Sequence, residues 1–174
     1  TNANHGGVGR SMNLGMAECL KRADLILWLE DDWVLPAPID LRPCVEALQM
    51  EGLGMVRLGR LSEGLKAKTL AAADRLWWRL EKNGAQYIYS GNANLRHRRF
   101  CQAYGAYSDG LKPGETELAY CAKFNATPGP DIIWPAWLTP EQTFQHIGDM
   151  QSYKVLMERE GLTAAQAAAR FEAM

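Results

Sequence analysis

Apolar positions along this chain of 174 residues switch between helical spacing and short unbroken runs, the pattern of an α/β domain with a partly parallel sheet. Met12, Met16, Cys19 and Leu20 share one face of a helix predicted from about Ser11 to Arg22, with the Ser11 hydroxyl as its cap. The Gly-rich stretch Asn4–Arg10 before it reads as a loop. Asp24–Leu29 is a short apolar run bounded by charge, which predicts a strand buried on both faces and central in its sheet. Pro36 and Pro38 break the chain, a helix covers Leu41–Glu51 with Gly52 and Gly54 closing it, and Met55–Leu58 is a second strand. Leu61–Leu80 admits two readings: its Ala and Leu content favours helix, while its Trp77–Leu80 end favours strand.

Farther on, Gln86–Tyr89 is a strand candidate that runs into Ser90–Leu95. Arg98–Tyr104 and Glu115–Phe124 read as helices, with a turn at Lys112–Gly114. Pro128, Pro130, Pro135 and Pro140 mark an irregular stretch that carries Trp134 and Trp137. Thr143–Gly148 is a short strand or loop, and Thr163–Met174 a terminal helix capped by Thr163. No internal repeat or long linker divides the chain, so residues 1–174 read as one domain.

Hydrophobic residues are 47% and charged residues 22% of the chain, enough apolar surface for one domain with a real core. A net charge of -1 gives no broad basic footprint, so nucleic acid is not an expected partner. The local run Arg96–Arg99 either holds a phosphate or anionic acceptor or is a solvated helix face. No apolar run approaches a membrane span, and the first residues lack the basic start and apolar segment of a signal peptide. Cys19, Cys44, Cys101 and Cys121 lie far apart without a CxxC pair, which reads as reduced, buried thiols. The expected location is the cytoplasm, with a peripheral position at the membrane as its variant.

Three consecutive acids, Glu30, Asp31 and Asp32, directly follow the first apolar run. Each carboxylate raises the pKa of its neighbours, and a hard divalent cation such as Mg²⁺ or Mn²⁺ relieves that repulsion while keeping places for phosphate oxygens. The plainer alternative is an acidic, solvated turn. Trp28 and Trp33 on either side favour a site with shaped walls.

Asn4-His-Gly-Gly-Val-Gly-Arg-Ser-Met-Asn13, followed by the apolar run and Glu30-Asp31-Asp32, resembles the middle of a family-two glycosyltransferase with the GT-A fold. That family has an N-x-G…R-x-x-N loop and helix, then an apolar strand ending in a DxD-type motif. The similarity runs from Asn4 to about Gly148. It implies a Rossmann-like mixed sheet flanked by helices and lacking the family's first strands, which would precede Asn4.

The resemblance also implies roles. Asp32 matches the acid that binds a metal on the donor diphosphate, and Glu30 the acid that faces the ribose, with Asp31 as a supporting contact. Arg10 matches a basic residue near the nucleobase or phosphates; its plain alternative is a surface charge. Asn13 resembles the helix Asn that steadies the loop. Ser90-Gly91-Asn92-Ala93-Asn94 resembles the small-residue strand end beneath the donor sugar, or is a simple turn. Pro113-Gly114-Glu115-Thr116-Glu117 resembles the family's Glu-Asp element at a helix start. In that alignment Glu115 is the general base, and a shift by one step favours Glu117. Gln145-His146-Ile147-Gly148 resembles the late His-x-Gly element, with His146 as second metal ligand. His5 and His97 read as surface or loop residues.

The function implied is inverting transfer of a sugar from a nucleotide diphosphate sugar to a carbohydrate or other hydroxyl acceptor, with Mn²⁺ or Mg²⁺ as cofactor. Trp134 or Trp137 stacks on an acceptor sugar in this scheme, or belongs to the core. Without the first strands, a sheet edge is exposed and self-association is expected. The competing readings are an inactive transferase-derived carbohydrate-binding or interaction domain, and a metal-dependent phosphoesterase.

Overall fold

The structure is a computed structural model that describes residues 7–61, 64–111 and 114–147, together with positions 161, 163 and 166. Six strands form one mixed sheet in the order β1-β6-β3-β7-β5-β4, and β2 and β8 form a second, two-stranded sheet. The strands are β1 (Leu25–Trp28), β2 (Trp33–Val34), β3 (Leu53–Arg57), β4 (Ala67–Ala72), β5 (Arg75–Leu80), β6 (Asn94–His97), β7 (Asp131–Pro135) and β8 (Gln145–His146). The helices are α1 (Gly7–Leu20), α2 (Arg42–Ala47), α3 (Arg98–Tyr104) and α4 (Glu115–Ala126). Among the described residues only β3 and β7 pair in parallel within the large sheet, and its other pairs are antiparallel. Among the described residues no helix is long and apolar enough to cross a membrane.

Period-two alternation sends side chains of the central strands into two separate cores. Met55 and Ile132 join Met12, Met16, Phe100, Tyr104, Tyr120 and Phe124 of α1, α3 and α4 on one face. Val56 and Ile133 join Cys44 and Ala47 of α2, and Leu48 at its end, on the other. The sheet is therefore covered on both sides.

Local pattern succeeded for α1, α3 and α4 and for the strands at β1 and β3. Gly7–Arg10, expected as loop, are instead the first turn of α1. Gly9 explains the close docking of that turn: a Cβ there would lie 2.1 Å from the Ser108 carbonyl oxygen. The helix propensity of its Ala and Leu residues does not decide the 61–80 segment, which contains the β4–β5 hairpin. Its register joins Ala72 to Arg75 across a two-residue turn in which Ala73 and Asp74 both have positive φ. Trp77 is fully buried, and β5 gains a second partner in β7.

The proline-marked stretch contains β7, an interior strand with Ile132 and Ile133 fully buried. The prolines bracket it rather than break it. Gln86–Tyr89, by contrast, is not a strand: Tyr87 has φ 60°. The buried Arg57 guanidinium donates to the Tyr87 and Ile88 carbonyls at 2.8 and 3.1 Å, so a side chain replaces a ladder there.

The first apolar run occupies the edge of the sheet, not its centre. β1 pairs with β6 alone among the described strands, and Leu27 and Leu29 are exposed. The expected burial of all four thiols holds for Cys44, Cys101 and Cys121, while Cys19 is exposed. Of the expected terminal helix only Thr163 and Gln166 are described, and there Thr163 Oγ1 accepts from Gln166 N at 3.4 Å as the expected cap would; the rest of it lies outside the described residues, as do Asn4, His5 and Gly148.

The basic run is structural. Arg96 is fully buried, donates to Asn94 Oδ1 and Tyr107 Oη at 2.8 Å each, and lies over the Trp28 ring. Arg98 pairs with Asp24 and donates to the Leu20 carbonyl at the end of α1. Arg99 donates to the Met50 carbonyl, and His97, expected as a plain surface or loop residue, caps α3 by accepting from Arg99 N.

Candidate functional site

β1 and β3 both end on the same side of the sheet, and antiparallel β6 begins there. Ligands of open α/β sheets gather at such carboxyl ends. The chain leaving β1 carries Glu30 to Asp32 and then forms β2, which pairs with β8 so that Trp33 faces His146. The pairing extends to Ile147 N, which donates to the Asp32 carbonyl at 2.8 Å. His146 Nε2 thereby lies 2.9 Å from Asp32 Oδ2, although the two residues are 114 positions apart. The other carboxylate oxygen, Asp32 Oδ1, is buried with no hydrogen-bond partner among the described residues.

Behind this pair, the bend before β6 presents Ser90, Gly91 and Asn92. Gly91 brings the backbone close to both acids: a Cβ there would lie 3.1 Å from Glu30 Oε1 and 3.8 Å from Glu117 Oε1. The Gly91 N–H donates to Glu117 Oε1 at 2.6 Å. Asn94 Nδ2 holds the Asn92 carbonyl at 2.6 Å, which ties the bend to the buried Arg96 cluster. Arg57 secures the bend from its other end through the Tyr87 and Ile88 carbonyls. Burial pushes the Arg57 guanidinium down to about 10, and the nearby Glu117 charge opposes that fall.

These parts enclose a cavity of about 370 Å³, in the size range of small-ligand sites. Glu30, Ser90, Gly91, Asn92, Glu117 and His146 line it, six of the residues singled out from sequence. Thr116, Trp33, Tyr89, Tyr107 and Arg60 also line it; of these the sequence marks out Trp33, as a wall, and Thr116, within the Pro113–Glu117 element. Asn92 Oδ1, Thr116 Oγ1 and Trp33 Nε1 are buried and lack hydrogen-bond partners among the described residues.

Glu30 keeps an open side to solvent, yet protein crowds its carboxyl. Its pKa is raised, first by that burial and next by the Asp32 charge. The neighbouring Trp33 indole N–H lowers it, the Glu117 charge adds a smaller rise, and His146 a smaller fall.

The remaining candidates sit elsewhere. Arg10 and Asp31 are exposed and do not line the cavity. Asn13 fixes α1 to the neighbouring loop, donating to the Tyr107 carbonyl at 3.0 Å and accepting from Tyr107 N at 2.8 Å. It steadies a loop, as expected, but the loop is at 107 rather than the one before α1. Glu115 is exposed at the start of α4 and is not part of the cavity wall, whereas Glu117 is half-buried and is. Trp137 packs edge-on against Trp77 in the core, with ring centroids 5.9 Å apart. Trp134 keeps part of its surface on an adjoining groove.

Among the described residues no three His, Cys, Asp or Glu side chains gather to hold a metal ion. The pair Asp32 and His146 is a two-donor set. No protein-family model, no curated protein and no solved structure matches the chain.

Proposed function

We propose that the chain is the catalytic part of a metal-dependent glycosyltransferase of the GT-A type. It would transfer a sugar from a nucleotide diphosphate sugar to an acceptor hydroxyl with inversion. One observation carries this reading: Glu30, the Ser90–Asn92 bend, Glu117 and His146, drawn from four distant parts of the chain, line one cavity, with Asp32 just behind its wall against His146. Each is singled out by the sequence for a role in that chemistry.

The donor set fits a divalent cation shared with a diphosphate. Asp32 Oδ1 is a buried oxygen in need of a partner, and an imidazole nitrogen beside it suits Mn²⁺ or Mg²⁺ with further oxygen ligands from phosphate. Asp32 and His146 would hold the ion, and its chemistry there is Lewis-acid neutralisation of the diphosphate. A phosphoesterase would call for a richer metal-donor cluster than the described residues offer.

The chain's own groups then divide the work. Glu30 accepts from a ribose hydroxyl. The Asn92 amide oxygen and the Thr116 hydroxyl bind polar groups of the donor that enter the cavity. Glu117, fixed by the Gly91 N–H through one oxygen, takes the acceptor proton on the other. The acceptor oxygen bonds to the anomeric carbon as that carbon's bond to the diphosphate oxygen breaks. Attack from the opposite face inverts the configuration.

Calorimetric titration with UDP, GDP and ADP, with and without Mn²⁺, tests the proposal. At least one diphosphate should bind in a Mn²⁺-dependent manner, and Asp32→Ala should abolish the dependence. Equal affinity in EDTA, or no binding by any of the three, would overturn it.

A further inference from the structure

We infer that the groove beside the cavity is a saccharide subsite, so that the acceptor is an oligosaccharide or a polysaccharide end rather than a small alcohol. The inference rests on the transferase reading for the word acceptor, but the groove itself is argued from its own residues. It has a volume of about 700 Å³ and shares Trp33, Arg60 and His146 with the candidate site, so the two are continuous. A cavity of that size suits a drug-sized ligand, which a disaccharide is and a monosaccharide is not.

The groove has the two surfaces a pyranose needs. A sugar ring presents C–H bonds on its faces and hydroxyls around its edge. Trp33 and Trp134 supply aromatic walls, while Leu138 and Phe144, each 8% exposed, supply an apolar floor. Arg60, Thr139 and Gln145 are exposed on its polar rim.

Trp134 is also set before any ligand arrives. Its Nε1–H donates to the Gly59 carbonyl at 3.0 Å, which fixes the ring and lowers the ordering cost of binding. Trp33 is held by the β2–β8 pairing, with its ring centroid 5.1 Å from that of His146. Directly opposite Trp134 across the β5–β7 ladder lies Trp78, 40% exposed, which continues the same face beyond the groove. Trp77 and Trp137 pack into the core instead, so the outward tryptophans are not simply leftovers of core packing.

Other occupants fit less well. The surface is concave, whereas a membrane-binding face protrudes. Arg60 and His146 are the charged or chargeable side chains that line it, too few for an acidic peptide.

The test uses the full chain with saturating UDP and Mn²⁺, titrated with cellotetraose, laminaritetraose, chitotetraose and maltotetraose and with their monosaccharides, and read by intrinsic tryptophan fluorescence. One tetrasaccharide should bind at least about tenfold more tightly than its monosaccharide, and Trp134→Ala should weaken it by about tenfold, or roughly 1.4 kcal/mol. Trp134→Phe should recover most of the loss, and it carries the test if the Ala variant does not fold. UDP–Mn²⁺ affinity of either variant should match the parent. If no tetrasaccharide exceeds its monosaccharide, or if both variants bind it as the parent does, the inference is wrong. If the tetrasaccharide binds through Trp134 while none of UDP, GDP and ADP binds with Mn²⁺, the groove stands and the transferase reading falls.

Discussion

Glu117 is where structure and chemistry can be separated most cleanly. Its Oε1 accepts the Gly91 N–H at 2.6 Å, a charge-assisted bond to a buried backbone group. Glu117→Gln keeps an oxygen for that N–H but makes it neutral, which costs about 1 kcal/mol from the difference between charged and neutral hydrogen bonds. The buried Arg57 also loses the nearby negative charge that opposes its depressed pKa, so the loss has the same sign there. Glu117→Ala leaves the Gly91 N–H without an acceptor and costs about 1–3 kcal/mol. In a chain of this length, 1 kcal/mol lowers Tm by about 2–4 °C.

The catalytic effect should be far larger than these structural ones. Removal of a general base lowers turnover by roughly a hundredfold or more. Urea denaturation should therefore place Glu117→Gln close to the parent, while release of nucleoside diphosphate from a sugar nucleotide and acceptor falls by that factor. Glu115→Gln should stay within about threefold of the parent, since general-base loss is a much larger effect. Should Glu115→Gln carry the defect and Glu117→Gln turn over normally, the assignment of the base to the cavity-lining carboxylate fails.

Two other expectations concern stability. The raised Glu30 pKa means that the folded state binds this proton more tightly than the unfolded state does. Stability then falls as pH rises from the ordinary carboxyl range through the folded pKa, and Glu30→Gln removes that fall. The variant should melt higher than the parent at pH 7 without metal or nucleotide, with the gap closing as pH drops toward about 4, the ordinary carboxyl range; an unchanging gap would rule the linkage out. In α1, Gly15 has open space around its would-be Cβ, so Gly15→Ala should stabilise by about 0.5–1 kcal/mol. Gly9→Ala should instead destabilise by about 1–3 kcal/mol through its clash with the Ser108 carbonyl, and equal effects in chemical denaturation would refute the docking of α1.

The sequence by itself determined the elements whose signals are local. α1, α3 and α4 follow from apolar spacing, and β1 and β3 from short apolar runs. Other features had misleading local signals. The β4–β5 turn uses Ala73 and Asp74 at positive φ, where Gly or Asn would have announced a hairpin, and β7 lies among prolines. Arg96 read as part of a phosphate or anionic-acceptor site or of a solvated face, and not as a core residue, because its tyrosine, tryptophan and asparagine partners are scattered along the chain.

The position of β1, and which of Glu115 and Glu117 lines the cavity, were decided by tertiary structure alone. A strand's composition reports burial of its faces but not how many neighbours its edges have. Two residues apart on a helix means a rotation of about 200°, so Glu115 and Glu117 point nearly opposite ways. Which one meets the cavity depends on how α4 docks, through Thr116, Tyr120, Cys121 and Phe124. The same holds for Asp32 and His146: either residue type is readable from the chain, but only the pairing of β2 with β8 closes 114 positions to 2.9 Å.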